Sequence, residues 1–137
     1  MAEGKLYKKL KHTMRSAGIQ IMLQRIESGG TGEGIPDLFF RSLNQDGWIE
    51  LKEIHWPKRG NTRIKIPFQK GQLPWITRYR SLGGHVFLFV LCNKDFYLFS
   101  KHNIKEEYKQ IEFLEKTSYR SQLKYLNAEV FLKYLED

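Results

Sequence analysis

The sequence predicts an α/β domain in which a central mixed β-sheet is flanked by helices. Three observations carry this prediction. Apolar residues recur with helical spacing near the N-terminus and again within residues 68–82. Two alternating segments within 35–54 are separated by a turn signal and indicate a β-hairpin. A continuous apolar run, His85–Leu91, is typical of a strand that is buried on both faces.

Size and composition favour one folded domain over residues 1–137. Hydrophobic residues make up 41% of the 137 residues, which is too apolar for a disordered chain. The single cysteine, Cys92, excludes an intramolecular disulfide and a cysteine-based zinc site. The sequence has no apolar run near the roughly 20 residues of a membrane span and no apolar signal core. We therefore expect a cytoplasmic protein with no membrane contact and no small-molecule cofactor.

The N-terminal residues 3–16 are predicted to form a helix. Their apolar residues form one stripe at a four-residue spacing, made of Leu6, Leu10 and Met14. Alternation of apolar and polar residues predicts a strand at 19–26. The glycine-rich loop 27–34 follows, and it lacks the Lys-Ser/Thr ending of a phosphate-binding loop.

A hairpin is predicted next. Its strands are Ile35–Arg41 and Trp48–Ile54, and its turn is Asn44–Gly47, where Asp-Gly is a common hairpin signal. Residues 55–67 are polar and basic and are expected to form a loop.

The second half begins with a helix predicted at 68–82, where Pro74 fits only in the first turn. The apolar run described above and Phe96–Ser100 are expected to be strands joined by a turn at 93–95. The tail, at about 103–136, is expected to be mostly helical, and its apolar residues near 130–135 could pack on the sheet.

The charge is strongly positive and uneven. The formal net charge is +8, and no acid occurs between Glu53 and Asp95. That stretch carries eight basic residues: Lys58, Arg59, Arg63, Lys65, Lys70, Arg78, Arg80 and Lys94. Such a field attracts a polyanion, although an ordinary basic protein with no specific partner has the same composition.

Chemistry is suggested by three charged residues on the predicted hairpin. Residues i and i+2 of a strand point to the same face, so Glu50 and Lys52 project together while Leu51 points into the core. Asp37 lies at the start of the partner strand, where pairing would bring it near Glu50. Two converging carboxylates repel unless a cation lies between them, and Mg²⁺ prefers such oxygen ligands. A metal-activated water that hydrolyses a phosphodiester is a coherent use of this set, whereas a solvated Glu-x-Lys face is the ordinary structural alternative.

The order of these motifs resembles the PD-(D/E)XK nuclease superfamily, most of all its small VRR-NUC-type and phage Holliday-junction-resolvase-like members. The resemblance covers about residues 19–91 and rests on four short segments: Gly34–Leu38, Trp48–Lys52, Gln72 with Trp75, and Gly83–Gly84. It implies a restriction-endonuclease-like core at about 19–100, with the helical segment 103–136 added to it.

The resemblance also implies residue roles. Asp37, Glu50 and the Leu51 carbonyl would hold Mg²⁺, for which Mn²⁺ would substitute, and Lys52 would be the catalytic lysine. An upstream acid of the family is matched best by Glu27, with Glu33 as the alternative.

The family's glutamine at the start of the helix after the strands is matched best by Gln72, with Gln69 as the alternative. The alternative without a catalytic role is that Gln72 is a helix cap or an exposed polar residue.

Nucleic-acid contacts are expected from the basic loop and its surroundings: Lys58, Arg59, Arg63, Lys65, Lys70 and Trp56. Trp56 lies in this loop and could act as a wedge or stack on a base, whereas Trp75 is expected in the core.

Together, the residues and the resemblance predict a metal-dependent DNA endonuclease that is selective for branched DNA such as Holliday junctions. Cutting two strands of a junction would call for a homodimer, with the tail at 130–135 either at the interface or in the monomer core. The alternative is a non-catalytic nucleic-acid-binding module that uses the same basic surface.

Overall fold

The computed structural model describes residues 2–26 and 34–137 of the chain. These residues form both helices and strands. In chain order the elements are α1 (Ala2–Ser16), β1 (Ile21–Arg25), β2 (Leu38–Ser42), β3 (Asp46–Ile54), β4 (Ile64–Lys65), α2 (Gln72–Ser81), β5 (Val86–Cys92), β6 (Asp95–Ser100), β7 (Glu107–Tyr108), α3 (Gln110–Lys116), β8 (Tyr119–Gln122) and α4 (Ala128–Glu136).

The main sheet has six strands in the order β1-β2-β3-β5-β6-β8. Strands β3 and β5 are parallel, and the other four neighbouring pairs are antiparallel. The chain crosses between the two parallel strands through α2, as a parallel connection requires. The short strands β4 and β7 pair separately as a two-stranded sheet. The predicted α/β class with a central mixed sheet is therefore confirmed.

Each face of the main sheet is covered by helices over its own hydrophobic core. One core contains the stripe of α1 and the buried residues of α4, packed on one face of β3 around Leu51. The other contains Ile76 of α2 and Phe113 of α3, packed on the opposite face around Leu88 and Val90. Strand β5 is buried along its whole length because it lies between these two cores.

The predicted N-terminal helix, the hairpin strands and the apolar strand all occur, with boundaries shifted by a few residues. Pro74 is the third residue of α2, so it lies in the first turn, where its missing N–H costs no intrahelical hydrogen bond. Met22 is exposed on β1, which preserves the alternation of that strand.

The predicted Asn44–Gly47 turn is wrong in its position. Asp46 and Gly47 already pair with β2, and the turn is closed by a 2.8 Å hydrogen bond from the backbone N–H of Ser42 to the carbonyl of Gln45. Glycine is needed at position 47 because the backbone of His85 passes close to it: a Cβ at Gly47 would lie 2.4 Å from the backbone oxygen of His85. The Asp-Gly pair therefore marks contact between neighbouring strands.

The tail is helical in α3, in α4 and in short 3₁₀ turns, but it also includes strands that the sequence does not predict. The tail contains the strands β7 and β8, and β8 is the edge strand of the main sheet next to β6. The segment 55–67, expected to be a loop, contributes β4, which pairs with β7. The last helix, α4, buries Phe131 and Leu135 in the monomer core, whereas Val130 is exposed.

Among the described residues, no helix is both long and apolar enough to cross a membrane.

The close approach at Gly47 gives a stability prediction. Gly47→Ala should lower the free energy of unfolding by about 1–3 kcal/mol, because the methyl group would overlap a backbone oxygen that cannot rotate away. Gly60→Ala is the matched control, since a Cβ at Gly60 meets no atom within 4 Å and Gly60 does not have positive φ. Urea unfolding of the two variants measures the difference, and equal stabilities would contradict this role for Gly47.

Candidate metal centre and nucleic-acid interface

The centre forms where β2 begins beside the middle of β3. Leu38 is the first residue of β2 and pairs with Ile49, so Asp37 lies next to Glu50. The backbone N–H of Asp37 donates to Oε1 of Glu50 at 3.1 Å. The backbone N–H of Leu51 donates to Oδ2 of Asp37 at 2.9 Å. These two reciprocal hydrogen bonds fix both carboxylates at one point of the sheet.

The side chains of β3 alternate as the sequence predicts. Glu50 is 1% exposed and Lys52 is 5% exposed on one face, while Leu51 lies in the core on the opposite face. The Nζ of Lys52 lies 3.0 Å from Oε2 of Glu50 and 5.8 Å from the ring centre of Phe68. Lys52 is therefore held between an acid and an aromatic ring.

Burial of Glu50 makes its negative charge costly. The pKa of the Glu50 carboxyl is raised from 4.5 to about 8, mainly by this burial and secondly by the nearby charge of Asp37. Lys52 acts in the opposite direction, but its charge only partly offsets the other two effects. An additional positive charge at this point would stabilise the ionised form.

The residues of the centre fit a hard divalent cation. Oε2 of Glu50 is shielded from solvent and makes an ion pair with Lys52 but no hydrogen bond among the described residues. The Leu51 N–H points to Asp37, and the carbonyl of a strand residue points to the same edge as its N–H. The two carboxylates lie together and the Leu51 carbonyl faces the same edge of β3, which gives oxygen donors of the kind that Mg²⁺ prefers.

A third acid is not present in the described part of the centre, where no group of three or more His, Cys, Asp or Glu residues could hold a metal ion. The two candidates for it, Glu27 and Glu33, lie outside the described residues. The described chain on the N-terminal side of that gap ends beside Asp37, because the N–H of Ile26 donates to the Asp37 carbonyl at 2.8 Å.

The start of α2 packs against the segment that leads to Asp37. Gly34 has φ +88°, and a Cβ there would lie 2.2 Å from the Gly71 oxygen and 2.9 Å from Cβ of Trp75. Only glycine allows both this backbone conformation and this contact. The glycine that precedes Ile35-Pro36-Asp37 thus positions the acid against the helix.

Gln72 is the first residue of α2 and is buried, whereas Gln69 is exposed. Oε1 of Gln72 accepts a 2.8 Å hydrogen bond from the backbone N–H of Gln69. This bond orients the Gln72 amide, and its Nε2 has no hydrogen-bond partner among the described residues. Its amide nitrogen can therefore donate to a ligand, while its oxygen performs a structural role.

The basic loop is exposed but anchored. All five predicted phosphate contacts have exposed side chains: Lys58, Arg59, Arg63, Lys65 and Lys70. Ile64 and Ile66 are buried, and Nε2 of Gln110 donates to the backbone carbonyls of Arg59 and Thr62 at 2.7 and 2.8 Å. The loop thus presents its charges on a fixed backbone.

Trp56 is only partly available as a wedge. Its ring is half-buried and packs edge-on against Phe113 at a centroid distance of 5.9 Å. Trp75 stacks on Tyr79 and contacts Trp48 edge-on, in agreement with its expected place in the core.

One neighbour of the centre was not predicted from the sequence. Phe68 lies against Lys52, although it belongs to the predicted helix segment and carries no charge. No local sequence signal indicates this contact, because residues 68–71 precede α2 and have no helical spacing to the residues of that helix.

Comparison with known proteins gives one kind of match. No protein-family model matches the sequence, and no curated protein matches it. A solved structure does match, that of Hjc, a Holliday junction resolvase from the archaeal hyperthermophile Archaeoglobus fulgidus. The TM-score is 0.57 at 14% sequence identity, over 94% of this chain and 97% of that chain. The chain therefore has an Hjc-like, restriction-endonuclease-like fold.

The raised pKa of Glu50 gives a prediction for the metal-free protein. Because the folded pKa of about 8 exceeds 4.5, the folded state retains a proton that the unfolded chain releases between these pH values. The free energy of unfolding in EDTA should therefore fall as the pH rises from about 5 to about 8, by roughly 3–4 kcal/mol.

Urea unfolding at several pH values measures this slope. The double variant Glu50→Gln/Lys52→Met is the control, because it removes the acid together with its ion-pair partner. Its slope should be flatter than that of the wild type, and an identical slope would contradict the raised pKa.

Proposed function

We propose that this protein is a metal-dependent DNA endonuclease that hydrolyses phosphodiester bonds in branched DNA. The observation that carries the proposal is the convergence of Asp37, Glu50 and Lys52 at one buried point of the sheet. The fold shared with a Holliday junction resolvase and the acid-free basic stretch 54–94 support the same function.

Asp37, Glu50 and the Leu51 carbonyl would hold Mg²⁺, with Mn²⁺ as a substitute. When bound, such an ion polarises a phosphodiester and makes a water molecule easier to deprotonate. The two reciprocal hydrogen bonds hold the carboxylates in place before the ion arrives, so little reorganisation is needed on binding.

Lys52 would act as the catalytic lysine. In the metal-free centre its ammonium group is paired with Oε2 of Glu50. A cation bound by Glu50 would take over that charge balance, and Lys52 could then offset the charge that develops on the phosphate or orient the attacking water. Phe68 limits the directions in which the lysine can move.

The remaining proposed groups complete the substrate contacts. Glu27 would supply the upstream acid, with Glu33 as the alternative, and the amide nitrogen of Gln72 would donate to a phosphate oxygen. The basic loop and Lys70 would bind phosphates along the DNA, and the exposed edge of Trp56 would touch a base. Phosphate contacts position DNA without reading its sequence, which suits an enzyme that is selective for structure.

A homodimer would supply the two active sites that cutting two strands of a junction requires. The tail helix α4 buries its large apolar residues within the monomer, so we assign no interface to it. The relation to small VRR-NUC-type and phage resolvase-like nucleases rests on the order of the motifs alone.

One observation favours a non-catalytic nucleic-acid-binding module instead. The described residues bring two acids together, and one of them is already paired with a lysine, as in a structural ion pair. In that case the basic loop would bind nucleic acid while the acids only support the fold.

Replacement of the lysine tests catalysis. Lys52→Met should reduce Mg²⁺-dependent cleavage of a labelled four-way junction by at least about 100-fold, because a positive charge at the reacting phosphate is lost. Linear duplex, single strand and splayed arm are assayed in parallel, with EDTA as the metal-free control. Circular dichroism checks that the variant is folded, and full cleavage by the folded variant would contradict the assigned role.

Replacement of Asp37 separates the two functions. Asp37→Asn keeps an oxygen that can accept from the Leu51 N–H but removes one negative charge. We expect cleavage to be lost while the affinity for DNA in EDTA is retained or increased, since repulsion of phosphates decreases. Undiminished cleavage would exclude Asp37 as a metal ligand, and a wild type that binds every substrate but cuts none would favour the non-catalytic module.

A further inference from the structure

A second basic surface lies on the side of the sheet opposite to the candidate metal centre. Four lysines from three elements surround a groove of about 430 Å³ whose floor includes Leu123. They are Lys5, Lys9, Lys94 and Lys124. We call this surface the lysine groove. Helix α1, which forms one wall, packs on the face of β3 that holds Leu51, whereas Glu50 and Lys52 point to the other face.

The groove has a rigid frame. Lys5 and Lys9 are one helical turn apart on α1 and therefore project side by side. Lys94 lies in the turn between β5 and β6, and its carbonyl accepts a 2.7 Å hydrogen bond from the N–H of Leu123. This bond holds Lys94 next to the 3₁₀ turn that carries Lys124.

The positive charge of the groove is not balanced by its own walls. None of the described residues that line it is acidic. The nearest acid in the sequence, Asp95, lines the other face of β6 together with Tyr97 and Arg120. Like charges at i and i+4 of a helix are mildly destabilising, so the arrangement works slightly against folding and favours an anionic ligand.

An exposed aromatic ring accompanies these charges. Tyr125 is 63% exposed, and Nζ of Lys124 lies 5.1 Å from its ring centre. Tyr125 lies beside Lys124 at the margin of the groove and does not line it. Cations that bind the backbone next to an exposed aromatic ring are typical of a platform for a single strand, because the bases are free to stack.

The groove lies close to the metal centre along the chain. Lys52 pairs with Val90 of β5, and Lys94 is four residues further on. The Cα atoms of Val90 and Lys94 can be no more than about 14 Å apart. A strand that leaves the centre at Lys52 could therefore pass the end of β5 and enter the lysine groove after a few nucleotides.

We propose that the lysine groove binds a single-stranded extension of the DNA whose duplex part lies at the metal centre. The proposal deepens the proposed function and rests on it for the position of the duplex. Among the branched substrates of the proposed function, it favours those with a single-stranded arm next to the bond that is cut, such as a splayed arm.

The test measures binding without cleavage. In EDTA, fluorescence anisotropy compares a short duplex with the same duplex carrying a single-stranded extension of about ten nucleotides. The variant Lys94→Gln/Lys124→Gln removes two charges from the groove. The variant Lys116→Gln/Lys133→Gln removes two exposed lysines of α3 and α4 and has the same net charge.

The wild type and the control should gain about tenfold in affinity from the extension, and the groove variant should lose this gain. For the groove variant bound to the extended DNA, the slope of log K against log salt should be less steep than for the wild type by about 1.4, at about 0.7 for each lost phosphate contact. Tyr125→Leu should reduce the gain without changing this salt dependence.

An equal gain in all proteins, or no gain in the wild type, would overturn the proposal. These outcomes are distinct from failure of the nuclease function, which is read from cleavage by the wild type and by Lys52→Met in Mg²⁺. A wild type that cuts branched DNA but gains no affinity from the extension would support the proposed nuclease function and contradict the proposed role of the lysine groove.

Discussion

The candidate site depends on one reciprocal interaction between two strands. Glu50 accepts the backbone N–H of Asp37, and Asp37 accepts the backbone N–H of Leu51, at the point where β2 begins and β3 extends past it. Either bond alone would hold one carboxylate, whereas the pair fixes both acids at one edge of β3. The cost is that two like charges lie in a buried place, which raises the pKa of Glu50. A divalent cation held between the two carboxylates, as we propose, would offset this repulsion.

The rest of the fold supports this arrangement. The parallel pairing of β3 and β5 buries Glu50 and Lys52 beneath the second core, where water does not screen them. The close contact of Gly34 with the start of α2 sets the direction in which the chain reaches Asp37, and the same helix buries Gln72. Basic side chains occupy the surfaces around the centre, on the loop after β3 and beyond the end of β5. A polyanion would be attracted to both.

The sequence predicts the parts of the structure that depend on local periodicity. Alternation along β3 is sufficient to place Glu50 and Lys52 on one face, and the continuous apolar run predicts a doubly buried β5. The prediction from sequence fails where a contact with a residue distant in the sequence determines the local structure. Gly47 has the signal of a turn, yet it is required by the oxygen of His85, 38 positions away. Residues 119–122 have little apolar character and form β8 only because β6 offers them an edge. The contact of Phe68 with Lys52 likewise depends on the crossover, which no local pattern describes.

Metal binding at the two carboxylates is the central claim, and anomalous diffraction from crystals soaked in Mn²⁺ at about pH 8.5 tests it most directly, because Glu50 is then largely ionised. We expect an anomalous peak within coordination distance of Asp37, Glu50 and the Leu51 carbonyl. We also expect the Nζ of Lys52 to lie farther from Oε2 of Glu50 than the 3.0 Å seen in this structure. Occupied Mn²⁺ sites elsewhere, with Lys52 still paired to Glu50 and no peak between the carboxylates, would contradict it.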